Sequence, residues 1–342
     1  MILETPRLLF SIVISVVVCA LSIVLLSGKA LSWALVDTPG GRRLHDSPTP
    51  LVGGIAMMAG LFLGVLIAGL NPPSFSAYVV GVLILLIVGV QDDRAELSTG
   101  VKALSQVVAA GILVVAGDVR ITEMGNLLGF GDIHLGFLSV PFTIFAIVGL
   151  VNAMNMIDGM DGLAGLISVV IFFTIIFYAL SARVDWIVVF ATLFVSVLVT
   201  FLCFNMAYGR RHAKVFMGDA GSMAIGYTLA WFLIVLSQPS VQTVRPMAVL
   251  WILAVPVLDT LRLMAIRLIE RESIFKADNR HMHHLLRRQG RSYNTIVAIM
   301  VSASALCAII AFVIQTTGLP DAVLFYGYAV LFFVMLFLFR KI

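Results

Sequence analysis

Eleven predominantly apolar stretches, each about 18 residues or longer, follow one another along this chain, centred near residues 18, 61, 84, 110, 146, 171, 195, 229, 257, 306 and 331. A helix of about 20 residues crosses roughly 30 Å of hydrocarbon, and a lipid-embedded segment must satisfy its own backbone. Each stretch therefore predicts a transmembrane helix. The expected fold is all-α: a polytopic membrane bundle of about 11 helices forming one domain over residues 1–342. Composition agrees, with 61% apolar and 12% charged residues. The longest polar gap, residues 269–294, is too short to bury a core of its own, so no separate soluble domain is expected. The first apolar region is too long for a signal peptide and precedes no convincing cleavage site, so it reads as the first span.

The net charge of +4 matters mainly for topology. If the first gap, residues 36–50, faces the cytosol, every odd-numbered gap does too. All of the 22 Lys and Arg except Arg7, Arg120, Arg183 and Arg245 then fall on that side. This positive-inside bias predicts an outside N-terminus and an inside C-terminus. Nucleic-acid binding gains no support from it. Cys19, Cys203 and Cys307 all lie within apolar runs, which argues against a disulfide framework or a zinc finger.

Between the fifth and sixth runs stands NAMNMIDGMDGLAG, residues 152–165. An ionised carboxylate at membrane depth costs about 2.5–3.5 kcal/mol, so this concentration of acids implies a use. Asn152, Asn155, Asp158 and Asp161 recur every third residue, which predicts a row of side chains on one helix face. Gly159 and Gly162 would let backbone and ligand approach closely. A polar inter-helix loop with glycine turns is the plainer reading.

Four further constellations share the proposed cytosolic side. The first gap carries Asp37 and His45 among prolines and glycines, and Gly53 and Gly54 then open the second run, where close helix packing is expected. Asp92 and Asp93 end the third run at a helix C-terminus, whose dipole disfavours anions by about 0.3–1 kcal/mol each. Lys102 follows, placed to neutralise them or to hold a phosphate. Arg210, Arg211 and Lys214 precede Gly218 and Asp219 at a helix start, suited to a phosphate or a metal–phosphate complex. Asp259 and Arg262 read as a structural i,i+3 ion pair. Beyond them, Arg280, His281, His283 and His284 stand in a basic loop, where imidazoles among arginines fit phosphate recognition better than zinc.

Acids alone would hold metal and bases alone phosphate; together they describe metal-assisted chemistry on a phosphorylated substrate. A carboxylate and a phosphate 4 Å apart repel by about 4 kcal/mol at an effective dielectric near 20. A divalent cation between them is expected, Mg²⁺ first and Mn²⁺ as a substitute.

In order, the segments DTPGGRRLHDSPTPLVGG, QDDRAELSTGVK, NAMNMIDGMDGLAG, KVFMGDAGS and RHMHHLL resemble those of the polyprenyl-phosphate N-acetylhexosamine-1-phosphate transferases, over essentially the whole chain. The resemblance implies a bacterial inner-membrane, multi-pass enzyme working at the cytoplasmic face. Its lipid phosphate, expected to be undecaprenyl phosphate, attacks the β-phosphorus of a UDP-sugar, N-acetylglucosamine first among the candidates, and releases UMP. It implies catalytic roles for Asp92, Asp93, Asp158 and Asp161. It also implies metal ligation by Asp219 with Asn155, Asp92 and Asp93. Substrate contacts are implied for Asp37, His45, Lys102, Asn152, Asn155, Arg210, Lys214, Arg280, His281, His283 and His284. One departure stands out: the family often reads Asp-Arg-x-His, whereas here Asp278 and Asn279 precede Arg280 and His281. A UDP-N-acetylmuramoyl-pentapeptide substrate would go with three consecutive histidines, so HMHH argues against it. Sister sugars such as N-acetylfucosamine or N-acetylquinovosamine stay open, as does a homo-oligomer. An ion-coupled transporter would want acids at the midplane and repeated halves, and neither pattern is present.

Overall fold

The computed structural model describes residues 6–38, 48–206, 213–273 and 280–339. Its elements are α1 (Pro6–Ser27), β1 (Val36–Asp37), β2 (Thr49–Pro50), α2 (Gly53–Ala68), α3 (Phe75–Ala95), α4 (Thr99–Val115), α5 (Ser139–Ile157), α6 (Leu163–Ser181), α7 (Asp185–Asn205), α8 (Gly218–Ser237), α9 (Pro246–Ile252), α10 (Ala254–Ile269), α11 (Met282–Arg288), α12 (Tyr293–Thr317) and α13 (Asp321–Leu338). Every apolar run of the sequence falls on helix. The protein is an all-α, multi-pass membrane bundle; its one sheet among the described residues is the two-residue ribbon β1–β2.

Length separates the helices into two groups. Among the described residues eight, α1, α3, α5, α6, α7, α8, α12 and α13, are long and apolar enough to cross a bilayer. The pair α9 and α10, bent by 81° at its break, makes a ninth if it is one span. Helices α2 and α4 have 16 and 17 residues. At 1.5 Å per residue each is about 25 Å long, short of the hydrocarbon thickness.

Helix α8 is the axis of the bundle. Of its apolar window 94% is buried, against 22% for α1 and 11% for α13, whose apolar faces are left for lipid. Small residues permit this close surrounding. A Cβ on Gly226 would lie 2.8 Å from the Val151 Cα of α5, and one on Gly89 of α3 would overlap the Ala220 backbone. Further along, Tyr78 stacks on Trp231 at 4.3 Å, and its hydroxyl pairs with Thr228 at 2.8 Å. These contacts fix α3 against α8, and the site depends on that pairing.

A second device joins the N-terminal third to the start of α8. The Phe216 N–H donates to the Pro50 carbonyl at 2.8 Å, while Gly53 and Gly54 donate to the carbonyls of Phe216 and Met217 at 3.0 and 2.9 Å. The first N–H groups of α2, which have no partner within their own helix, are thereby satisfied. Gly54 lies directly on Gly221, where a Cβ would collide with backbone, so the sequence expectation of close packing at this glycine pair holds.

Candidate active site

Asp92 and Asp93 occupy the last turn of α3, which ends at Ala95. Each is compensated differently. Asp92 Oδ1 accepts the Leu97 N–H at 2.7 Å, and Oδ2 accepts from Lys102 Nζ at 2.8 Å. Asp93 turns instead to the N-terminus of α8, where its Oδ1 accepts the Asp219 N–H at 3.0 Å. A carboxylate that opposes its own helix dipole thus meets the positive end of another helix. Gly218 makes room for it: its φ is +73°, and a Cβ there would collide with the Asp93 carboxylate.

Asp219 lies in the first turn of α8 and is held from two more helices. Asn155 Nδ2 of α5 donates to Asp219 Oδ1 and to Ser222 Oγ, both at 2.9 Å. Lys102 Nζ of α4 stands 3.7 Å from Asp219 Oδ2. One helical turn along each helix a second polar layer repeats the arrangement. Asn152 Nδ2 donates to Gln106 Oε1 at 2.6 Å, and Gln106 Nε2 lies 3.5 Å from the Met223 sulfur. The pairs Lys102/Gln106, Asn155/Asn152 and Asp219/Met223 are each three or four residues apart, so the lower layer sets the register of the upper one.

This arrangement corrects one expectation. Asn152, Asn155, Asp158 and Asp161 do not form a row, because α5 ends at Ile157 and Asp158 leaves the helix with ψ +48°. A three-residue spacing implies a shared face only while the helix continues. Asn152 faces Gln106 and Asn155 faces Asp219. Asp158 lies at the break, and Asp161 enters the following turn, where Tyr293 donates its hydroxyl to the Asp161 carbonyl. Gly162, at φ +72°, gives its N–H to Asn205 Oδ1 at 2.5 Å and closes the turn. Burial, together with the charges of Asp219, Asp161 and Asp93, pushes the Asp158 carboxyl up to about 8.

The histidine segment meets this turn. It is not an open basic loop but the short helix α11, with His281 at its N-cap and His283 buried. A Cβ on Gly159 would strike the His283 ring, so the imidazole lies directly on the central motif. His281 and His283 are parallel, 5.9 Å apart, and His284 lies 4.2 Å from His283. Burial, reinforced by His284 and His281, pushes the His283 imidazole down to about 3, and His284 is lowered for related reasons. Both ring nitrogens of His283 are buried without a hydrogen-bond partner.

Other sequence candidates are placed less centrally. Asp37 sits in β1, paired with Thr49 of β2, on the ribbon that leads into Gly53. Lys214 is exposed and gives its N–H to the Phe204 carbonyl. The Arg280 guanidinium engages Glu270 at 2.5 Å and Glu272 at 3.0 Å. His45 and Arg210 lie outside the described residues. Sequence reasoning missed Gln106, whose only signal is a lone amide four residues after Lys102 within an apolar run, and the contacts of Asp259 with His281 and Met282.

Among the described residues no three His, Cys, Asp or Glu side chains form a ready-made metal cage. The donor set nonetheless fits a divalent ion shared with substrate phosphates, which needs only one or two protein carboxylates. Asp93 Oδ2 is buried beside Gly218 with no hydrogen-bond partner, next to Asp219. Asp92 has both oxygens engaged, which leaves Asp93 and Asp219 as the better donors.

The profile of glycosyl transferase family 4 matches residues 75–237, the stretch from α3 through α8 that carries Asp92, Asp93, Lys102, Asn155, Asp158 and Asp219. Relatives extend the likeness to nearly the whole chain, which belongs to this family and is by class a membrane glycosyl-1-phosphate transferase. It is 33% identical over 328 residues to the undecaprenyl-phosphate alpha-N-acetylglucosaminyl 1-phosphate transferase of Pasteurella multocida, covering 95% of this chain and 92% of that one. The enzymes of the same name from Haemophilus influenzae and Yersinia pestis are 33% and 30% identical, covering 90% and 88% of this chain and 87% and 85% of their own.

Proposed function

We propose that this protein transfers N-acetylglucosamine 1-phosphate from its UDP derivative to undecaprenyl phosphate in the bacterial inner membrane, as the first membrane step of a surface glycan such as O-antigen. The observation that carries this reading is the meeting of Asp93, Asp219 and Asp158 with Lys102 and His283 at one end of α8, from five separate segments. Strong family likeness to enzymes named for this reaction supports the substrates. In the proposed reaction an oxygen of the lipid phosphate bonds to the β-phosphorus. The bond from that phosphorus to the bridging oxygen breaks, and UMP leaves with that oxygen.

Each residue has a proposed task. Mg²⁺, or Mn²⁺ in its place, would be held by Asp93 and Asp219, with Asn155 beside Asp219, and would offset charge on the diphosphate. Lys102 pairs with Asp92 and supplies a cation between two acids. The lipid phosphate, whose last proton has a pKa near 6, is largely ionised at neutral pH, whereas Asp158, with its carboxyl raised to about 8, is mostly protonated there and would donate a hydrogen bond to a substrate phosphate. His281 and His284, on either side of the buried His283, would offer nitrogen atoms to the nucleotide-sugar. We also infer that α2 and α4 cross as short spans, which gives eleven crossings, an outside N-terminus, an inside C-terminus and a site at the cytoplasmic face; the lysine and arginine distribution supports this.

The test uses purified protein in detergent with Mg²⁺, polyprenyl phosphate and a panel of UDP-sugars. UMP release and a lipid-linked N-acetylglucosamine phosphate in the mass spectrum are expected, with loss of turnover in EDTA and recovery with Mg²⁺. Release of UDP, or turnover indifferent to EDTA, would overturn the reading.

A further inference from the structure

Helix α10 carries a buried ion pair that the proposed chemistry does not use. Arg262 is 0% and Asp259 2% exposed, and Arg262 NH2 donates to Asp259 Oδ1 at 2.9 Å. As a structural ion pair they would need only each other. Among the described residues, their other side-chain hydrogen bonds go to Arg280, His281 and Met282, where the chain enters α11. Arg262 NH2 also donates to the Arg280 carbonyl at 2.5 Å. The Met282 N–H donates to Asp259 Oδ1 at 3.0 Å, and His281 Nδ1 lies 3.0 Å from Asp259 Oδ2. His281 is the N-cap of α11 but makes no side-chain cap bond of its own. Asp259 satisfies the first N–H of that helix from outside it, as a capping carboxylate does.

We propose that Asp259 and Arg262 are positioning residues for nucleotide-sugar binding, acting through His281. The inference rests on the reading of the histidine helix as a substrate contact. With Nδ1–H bound to the carboxylate, the His281 ring is fixed in plane and in tautomer, and Nε2 is the atom turned away from α10. Its ring is parallel to that of His283 within 5°, and His283 lies on Gly159. A side chain of α10 thus sets, through two stacked imidazoles, how the histidines face the central motif. An ion pair without this role would govern folding alone.

The test is a double-mutant cycle of Asp259→Asn with His281→Ala, measuring kcat, KM for UDP-N-acetylglucosamine and KM for polyprenyl phosphate. Losing a charged hydrogen bond should raise the nucleotide-sugar KM about ten-fold or more and leave the lipid KM within about two-fold. In the His281→Ala background, Asp259→Asn should have little further effect, since its action passes through that ring. Removing one partner of a buried pair can prevent folding, so Asp259→Leu with Arg262→Met supplies a second arm. The paired variant should stay folded, with a melting temperature lowered only by the lost cap on the Met282 N–H, and show the same KM rise. Additive effects in the cycle, or unchanged nucleotide-sugar KM in the paired variant, would overturn the proposal. Absence of turnover in the wild-type protein would instead overturn the functional reading beneath it.

Discussion

Asp93 Oδ1 accepts the backbone N–H of Asp219 at 3.0 Å, although 126 positions separate the two residues. The last turn of α3 thereby caps the first turn of α8, and its other oxygen is left buried without a protein partner. One carboxylate joins the two helices and faces the proposed phosphate site.

Asp93→Asn separates these tasks. An amide oxygen still accepts the Asp219 N–H, while the second oxygen becomes an N–H₂ that repels cations. Turnover should fall by about 100-fold or more with little change in melting temperature. Asp93→Ala should lose a further ~1 kcal/mol of stability, the usual value of a helix cap. Near-normal turnover in Asp93→Asn would remove the residue from the chemistry.

Gly54 and Gly100 offer a matched pair of alanine substitutions. At Gly54 the added methyl collides with the Gly221 backbone, whereas at Gly100 nothing lies within 4 Å. Gly54→Ala should cost about 1–3 kcal/mol through overpacking. Gly100→Ala, in the first turn of α4, should stabilise by up to ~1 kcal/mol. Thermal unfolding in detergent distinguishes them, and equal melting temperatures would contradict the close approach.

His283 sets a pH dependence whose sign is fixed by burial. Its folded value of about 3 lies below the ordinary 6.5. Between these values the unfolded chain binds one more proton, so stability rises with pH across that window. The contribution is complete above about 6.5 and is lost on acidification, at about 1.4 kcal/mol per pH unit in the limit. His283→Phe keeps a ring on Gly159 without the titration. Its melting temperature should fall less steeply from pH 6.5 to 4.5 than that of the wild type, and parallel slopes would argue against a buried neutral imidazole.

Much of the site was legible because its parts carry charges that are costly in a membrane. Asp92 with Lys102 could be read from ten residues of sequence, and the glycine pair Gly53/Gly54 from composition alone. Asp158 and Asp161 were misread as continuing the helix face of Asn152 and Asn155, because a periodicity of three does not reveal where a helix stops. Gln106 is uncharged and single, so nothing marked it until α4 and α5 were seen side by side. Asp259 and Arg262 were legible as a pair, but their hold on α11 crosses a polar connection whose path the sequence does not specify. The histidines were read with the arginines beside them as one phosphate-recognising loop; in the structure Arg280 turns to Glu270 and Glu272, and His283 goes inward.

The hydrogen bonds that join Pro50, Gly53 and Gly54 with Phe216 and Met217 also bear on how the protein is made. At about 5–20 residues per second, a ribosome would need roughly 8–33 s to reach Phe216 after Pro50. Throughout that interval the first N–H groups of α2 lack their native acceptors, although more than half of the chain has been synthesised by its end. The active centre is therefore assembled late, when the start of α8 arrives, and truncation upstream of Met217 would leave a membrane-inserted chain with no reaction chamber.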